Sequence, residues 1–154
     1  MNNAQIEKFA YINEKNENVV TLDMRYICQY PYIMKYLQNV INGKGISNYF
    51  ENIGVTRIAL YAITEFTALF IDDINRDKHI LIEEIGDKAY QRYSGGYKGY
   101  KVNSIKEIVN HYENGTIDRI LICSFFHKDE IIDEFLDFGI SIDKLVTIGS
   151  VLFW

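Results

Sequence analysis

Two cysteines, Cys28 and Cys123, are all that this chain of 154 residues contains. They lie far apart, each among apolar neighbours, so neither a disulfide framework nor a recurring metal-ligand spacing follows; two reduced, buried thiols are expected. Positive charge is scarce and scattered: 16 basic against 21 acidic residues give a formal net charge of -5. That excludes the massed basic surface of a nucleic-acid binder. No segment approaches the ~20 consecutive apolar residues of a membrane-spanning helix, and Met1 to Glu7 lacks a basic region followed by an apolar run. A cytoplasmic protein with no direct membrane span is the expectation. Also missing are internal repeats, low-complexity tracts, a nucleophile elbow, a Gly-rich loop with Lys-Ser/Thr and a zinc signature.

What the chain has in excess is rings, 12 Tyr and 9 Phe, so packing and any partner surface must draw on them. Its length suits one well-filled core with a small appendage. The organising stretch is Arg57 to Phe70. A short apolar run, Arg57 to Tyr61, passes over two small residues into a helical pattern in which Phe66, Leu69 and Phe70 share a face, the form of a strand feeding a helix.

Residues 1–21 are polar and Asn/Glu-rich, and read equally as an extended arm or a frayed helix. From Asp23 the spacing is helical, but Pro31 divides it into a turn or short helix up to Tyr30 and a second helix ended by Gly43 and Gly45. Ile46, Tyr49, Phe50 and Ile53 mark a short helix stopped at Gly54. The α/β portion begins near Val55. Its expected elements are a strand over 57–61, a helix from Thr64 to Asp72 ended by the Asp72-Asp73 pair, and a strand over 79–83. A loop over 84–100 follows, then a short strand over 101–103 and a helix capped by Ser104 with Glu107. Next come an interior strand over 118–124, a helix over 128–138, a last strand over 143–148 and an apolar tail. Helices alternating with short strands predict a small Rossmann-like, three-layer α/β domain at 55–154 with a mostly parallel sheet, preceded by an N-terminal helical arm at 1–54.

In such sheets ligands collect beyond the carboxyl ends of the strands. Here those positions are Ala62 to Thr67, Glu83 and Glu84, and Ser124 to His127. The dinucleotide fingerprint would place glycines where Ala62, Thr64 and Thr67 stand, and Thr64 should crowd the diphosphate or, alternatively, cap the helix. Glu83 lies at the distance from which a carboxylate receives ribose hydroxyls. His127 could serve as an acid or base, but has no partner at a defined spacing. Ala62, Thr64, Thr67, Glu83, Ser124 and His127 are therefore the candidate cofactor-binding residues, and no catalytic or metal-ligating residue is assigned. Tyr90, Tyr93, Tyr97 and Tyr100, around Gly95-Gly96, read as a mobile lid, a protein contact or a local aromatic cluster. Phe125, Phe126, Phe153 and Trp154 add weight to a partner or oligomer surface.

The segments Ile46 to Phe50, Arg57 to Tyr61 and Asp118 to Ser124 resemble the small Rossmann-like domains of bacterial cell-surface polysaccharide and nucleotide-sugar biosynthesis proteins, often fused or adjacent to glycosyltransferases. The resemblance spans about residues 45–150. It implies a turn at Ala62, Thr64 and Thr67 with every glycine replaced, and an acidic position at Glu83 or Glu84. It further implies a degenerate copy, kept as a non-catalytic interaction or regulatory domain of polysaccharide assembly. The partner would be a glycosyltransferase or other polysaccharide-biosynthesis protein, with a sugar nucleotide or a second copy of the chain as further candidates. The alternative is an NAD(P)-dependent or nucleotide-sugar modifying enzyme.

Overall fold

The two strongest apolar runs form the centre of a five-stranded sheet in the computed structural model, which describes residues 10–12, 19–21 and 24–154. In chain order the elements are β1 (Ala10–Ile12), β2 (Val19–Thr21), α1 (Met24–Ile41), α2 (Ile46–Asn52), β3 (Arg57–Tyr61), α3 (Glu65–Asp77), β4 (Leu81–Gly86), β5 (Val102–Asn103), α4 (Ile105–Glu113), β6 (Arg119–Ile122), α5 (Lys128–Asp137), β7 (Leu145–Thr147) and α6 (Ile148–Leu152). The main sheet runs β5-β4-β3-β6-β7 with every pair parallel. This is the small Rossmann-like α/β architecture, three layers deep. The strand order reverses between β3 and β6, so the switch point lies at their carboxyl ends.

Alternation along the central strands sends side chains into two cores. Ile58 and Leu60 of β3, with Leu121 and Cys123, face a layer built from α1, α2, α3 and α6, which contributes Tyr36, Phe50, Phe66, Phe70 and Leu152. Ala59 and Tyr61, with Ile120 and Ile122, face α4 and α5, which contribute Ile108, Val109, Ile131 and Phe135. A strand apolar on both faces can sit only in a sheet covered on both sides, which is why β3 and β6 are interior. Phe50, Phe66, Phe70 and Phe135 are fully buried, and each stabilises the fold by about 1.5–3 kcal/mol relative to exposure.

Residues 10–12 and 19–21 form an antiparallel ladder pairing Tyr11 with Val20, the extended one of the two alternatives for this stretch; the rest of residues 1–23 lies outside the described residues. Other expectations are corrected. The helix α1 runs through Pro31, because Pro31 is on an exposed side where water can reach the carbonyl left without a donor. The Asp72-Asp73 pair does not end α3, which continues to Asp77 and closes on Lys78 with φ 58°. Asp73 is buried instead, and its carboxylate accepts the Ile46 N–H at 2.9 Å, capping α2 from a neighbouring helix. Of the two thiols only Cys123 is buried; Cys28 is exposed on α1.

The strand β4 reaches Gly86 rather than stopping at Glu83. Its register against β3 steps from Ile58↔Ile82 to Ala59↔Glu84, leaving Glu83 as the extra, exposed residue of a bulge. The bulge puts Ile82 and Ile85 into the same core although they are three positions apart. It also brings Gly86 against Tyr61, where an added Cβ would meet the ring at 2.6 Å. The irregular segment therefore begins at Asp87, and it is tied down. Tyr97 and Tyr100 exchange backbone hydrogen bonds at 2.8 and 2.9 Å. The Tyr100 hydroxyl donates to Asn75 of α3 at 3.0 Å, and Lys98 pairs with Asp72 at 2.7 Å. Tyr93 and Tyr97 also pack edge-on with ring centroids 6.0 Å apart, a local aromatic cluster in this segment.

Candidate crevice at the sheet switch point

The turn from β3 into α3 is held by its own side chains. The Thr64 N–H donates to Thr67 Oγ1 at 2.9 Å, and the Thr67 hydroxyl donates to the Ala62 carbonyl at 2.6 Å. Thr67 is fully buried, so the bulk that replaces the third fingerprint glycine is absorbed as a staple across the turn. The Thr64 hydroxyl donates to the Cys123 carbonyl at 2.6 Å. It thus ties α3 to the end of β6 at the crevice wall, and Thr64 is the N-cap residue of α3, with φ -140°.

What stands at the loop N–H is a carboxylate. Asp87, the first residue after β4, accepts the Ile63 N–H through one oxygen at 2.8 Å and the Ala89 N–H through the other at 2.7 Å. An anion-binding turn of this kind offers its N–H groups to phosphate; here Asp87 already occupies the Ile63 donor. The strand-end acid is therefore Asp87, and Glu83 is inside β4. Asp87 was legible in principle, since a bulge shifting Ile85-Gly86 to the strand end makes the next residue the first of the loop.

Around it opens a cleft of about 390 Å³ lined by Tyr61, Ala62, Ile63, Thr64, Asp87, Lys88, Ser124, His127, Glu130, Ile131 and Glu134. Of the six candidate residues, Ala62, Thr64, Ser124 and His127 are brought together on its wall; Thr67 lies behind the turn and Glu83 elsewhere. Ser124 is buried and its hydroxyl accepts the His127 N–H at 3.1 Å, fixing the start of α5. His127 is mostly exposed, and the one side-chain partner of its ring is Glu130 at 3.3 Å among the described residues.

Lys88 and Glu134 meet across the crevice at 2.9 Å. On the far side of that pair a second hollow of about 400 Å³ shares Tyr61, Asp87, Lys88 and Glu134 and adds Tyr90, Ser104, Ile105, Asp137 and Phe138. Its aromatic floor is Tyr61, only 1% exposed, with its ring edge-on to Phe135 at 5.2 Å. Burial, then the charges of Glu134 and Asp87, push its hydroxyl well above the ordinary phenol range, so it is a neutral hydroxyl at any physiological pH. The two hollows together present four carboxylates, Asp87, Glu130, Glu134 and Asp137, against Lys88 and His127. Bringing a phosphate charge within 4 Å of Asp87 would cost about 4 kcal/mol at the effective dielectric of a protein surface, close to three decades of affinity.

The remaining motif residues lie at the other end of the sheet. Asp118 accepts the Arg57 N–H at 3.0 Å and the Arg57 guanidinium at 2.7 Å, clamping the amino ends of β3 and β6. Burial alone would raise its carboxyl, but these bonds, with one from the Thr56 N–H, hold it below its ordinary value. Asp118 is a structural clamp, far along the strand from the crevice.

No protein-family model matches the chain, and no curated protein matches it. Among the described residues no helix is long and apolar enough to cross a membrane, and no group of three or more His, Cys, Asp or Glu residues is placed to hold a metal ion.

Proposed function

We propose that the chain is a non-catalytic, cytoplasmic interaction or regulatory domain of cell-surface polysaccharide biosynthesis, acting on a glycosyltransferase or another protein of that assembly. The observation that carries the non-catalytic part is the Asp87 carboxylate on the Ile63 N–H. A Rossmann-like turn works on nucleotides by lending such donors to a diphosphate, and this one has spent that donor on an internal acid in an acidic crevice. Sugar-nucleotide sensing and the NAD(P)-dependent or nucleotide-sugar modifying alternative both need the seat that Asp87 fills. The polysaccharide setting rests on the resemblance of residues 46–50, 57–61 and 118–124. A partner surface is supported by the exposed rings Phe126 and Trp154.

Calorimetric titration tests the reading directly. UDP-glucose and NAD should give no saturable heat with the intact chain. A dissociation constant below about 100 μM for either, about −5.5 kcal/mol of binding, would overturn it. In the same spirit, the tagged chain purified from its own cells should enrich a glycosyltransferase or another polysaccharide-assembly protein. Enrichment of none refutes that choice of partner.

A further inference from the structure

The helix α1 is apolar on two sides. Tyr36 and Asn39 face the core, Asn39 Nδ2 donating to the Leu152 carbonyl of α6 at 2.8 Å. At 100° per residue a second stripe, Tyr26, Tyr30, Met34, Leu37 and Ile41, falls within an arc of about 80° on the outer side. These five side chains are 45–84% exposed. A helix facing water on its outer side should be polar there, yet the 18 residues of α1 contain no acid and only Arg25 and Lys35 as bases.

We propose that this stripe pairs with the same stripe of a second copy, the two α1 helices running antiparallel across a twofold axis near Met34. The inference stands apart from the crevice and from the function proposed for it. Three observations favour a second copy. Antiparallel alignment about Met34 places Tyr26 opposite Ile41 and Tyr30 opposite Leu37 of the other chain, so the aromatic half of the stripe meets the aliphatic half and Met34 meets itself, the self-complementarity that a twofold contact requires. The stripe bears no charge on a chain of net charge -5, so these side chains add no like-charge repulsion when two copies meet on this face. The five side chains expose roughly 600 Å² per copy, and pairing them buries on the order of 1,200 Å², the lower bound for a specific interface. Phe153, which lines the same groove as Met34, Leu37 and Ile41, extends the contact. Lys35, near the axis, is turned over the Phe153 ring at 6.0 Å from its centroid.

Sedimentation equilibrium of the intact chain at about 100 μM, above the micromolar constants expected of a small interface, should give twice the 18.0 kDa chain mass. Leu37→Glu places a charge in the seam of each copy and should weaken association on the order of 100-fold or more while leaving the far-ultraviolet circular dichroism unchanged, because Leu37 touches the outside. Cys28 lies on the opposite side of α1, so in a Cys28→Ser background Met34→Cys should cross-link on mild oxidation, and the wild-type chain should not. A wild-type chain at single mass would overturn the proposal, whether the stripe is then covered by the chain's own residues 10–21 or by another protein. So would a dimer that survives Leu37→Glu, or one in which Met34→Cys fails to cross-link.

Discussion

Replacing Asp87 with alanine probes the crevice most directly. The carboxylate accepts two backbone N–H groups, at 2.8 and 2.7 Å. Hydrogen bonds to a charged group contribute roughly 1.5–3 kcal/mol each; because the crevice is open, water would re-satisfy the freed donors in part. The expected loss is about 2 kcal/mol, and for a chain of this size that lowers the melting temperature by about 4–8 °C. The vacated turn should then take an anion. Pyrophosphate at tenfold its dissociation constant would return about 1.4 kcal/mol to the alanine variant, while the wild type, whose Ile63 donor is filled, gains nothing. Asp87→Asn should fall between, since it keeps one acceptor and aims an amide donor at the other N–H. Differential scanning calorimetry with and without pyrophosphate reads both effects. An alanine variant melting within about 1 °C of wild type would refute the claim that Asp87 holds the turn, as a shift so small is under half a kcal/mol. Equal stabilisation of both proteins by pyrophosphate would refute the claim that the carboxylate fills the anion seat.

Other expectations test the frame around the crevice. Gly96 has φ +81° and an added Cβ would lie 2.6 Å from the Tyr100 carbonyl oxygen, so Gly96→Ala should cost about 2 kcal/mol in urea denaturation, while Gly95→Ala, with open space beside it, serves as the near-neutral control. Asp118 is held below its ordinary 3.8 in the folded chain, so it contributes stability that is present above that value and is lost as pH falls through the lower folded one. Asp118→Asn should therefore flatten the acid limb of stability against pH, and an unchanged acid limb would count against the clamp. Burial pushes the Cys123 thiol up to about 12 and Cys28 is exposed, so a thiol reagent near pH 8 should modify one cysteine in the native chain and both in denaturant.

Much of the fold was legible because the information is local. The capping box at Ser104 and Glu107 forms as the spacing predicts, with the Ser104 N–H donating to Glu107 at 2.8 Å. The apolar runs at 57–61 and 119–122 are interior strands. Where the reading failed, a distant partner had changed the meaning of a residue. The Asp72-Asp73 pair looks like a helix end until Asp73 is recruited by α2. Glu83 looks like a strand end until the bulge moves that end to Gly86. The proline of α1 looks like a break until its exposure is known.

Side-chain periodicity, the replaced glycines and the capping residues determined by themselves that this chain alternates strand and helix around a turn without room-making glycines, since each of these depends on a few neighbouring residues and their backbone preferences. Which groups meet at that turn was decided only in three dimensions. Asp87 and Ile63 are 24 positions apart and Lys88 and Glu134 are 46 apart, and no local pattern encodes that the parallel pairing of β3 with β4 and β6 brings all four to one crevice. The sign of the charge waiting there, and hence what the crevice can accept, is a property of that juxtaposition.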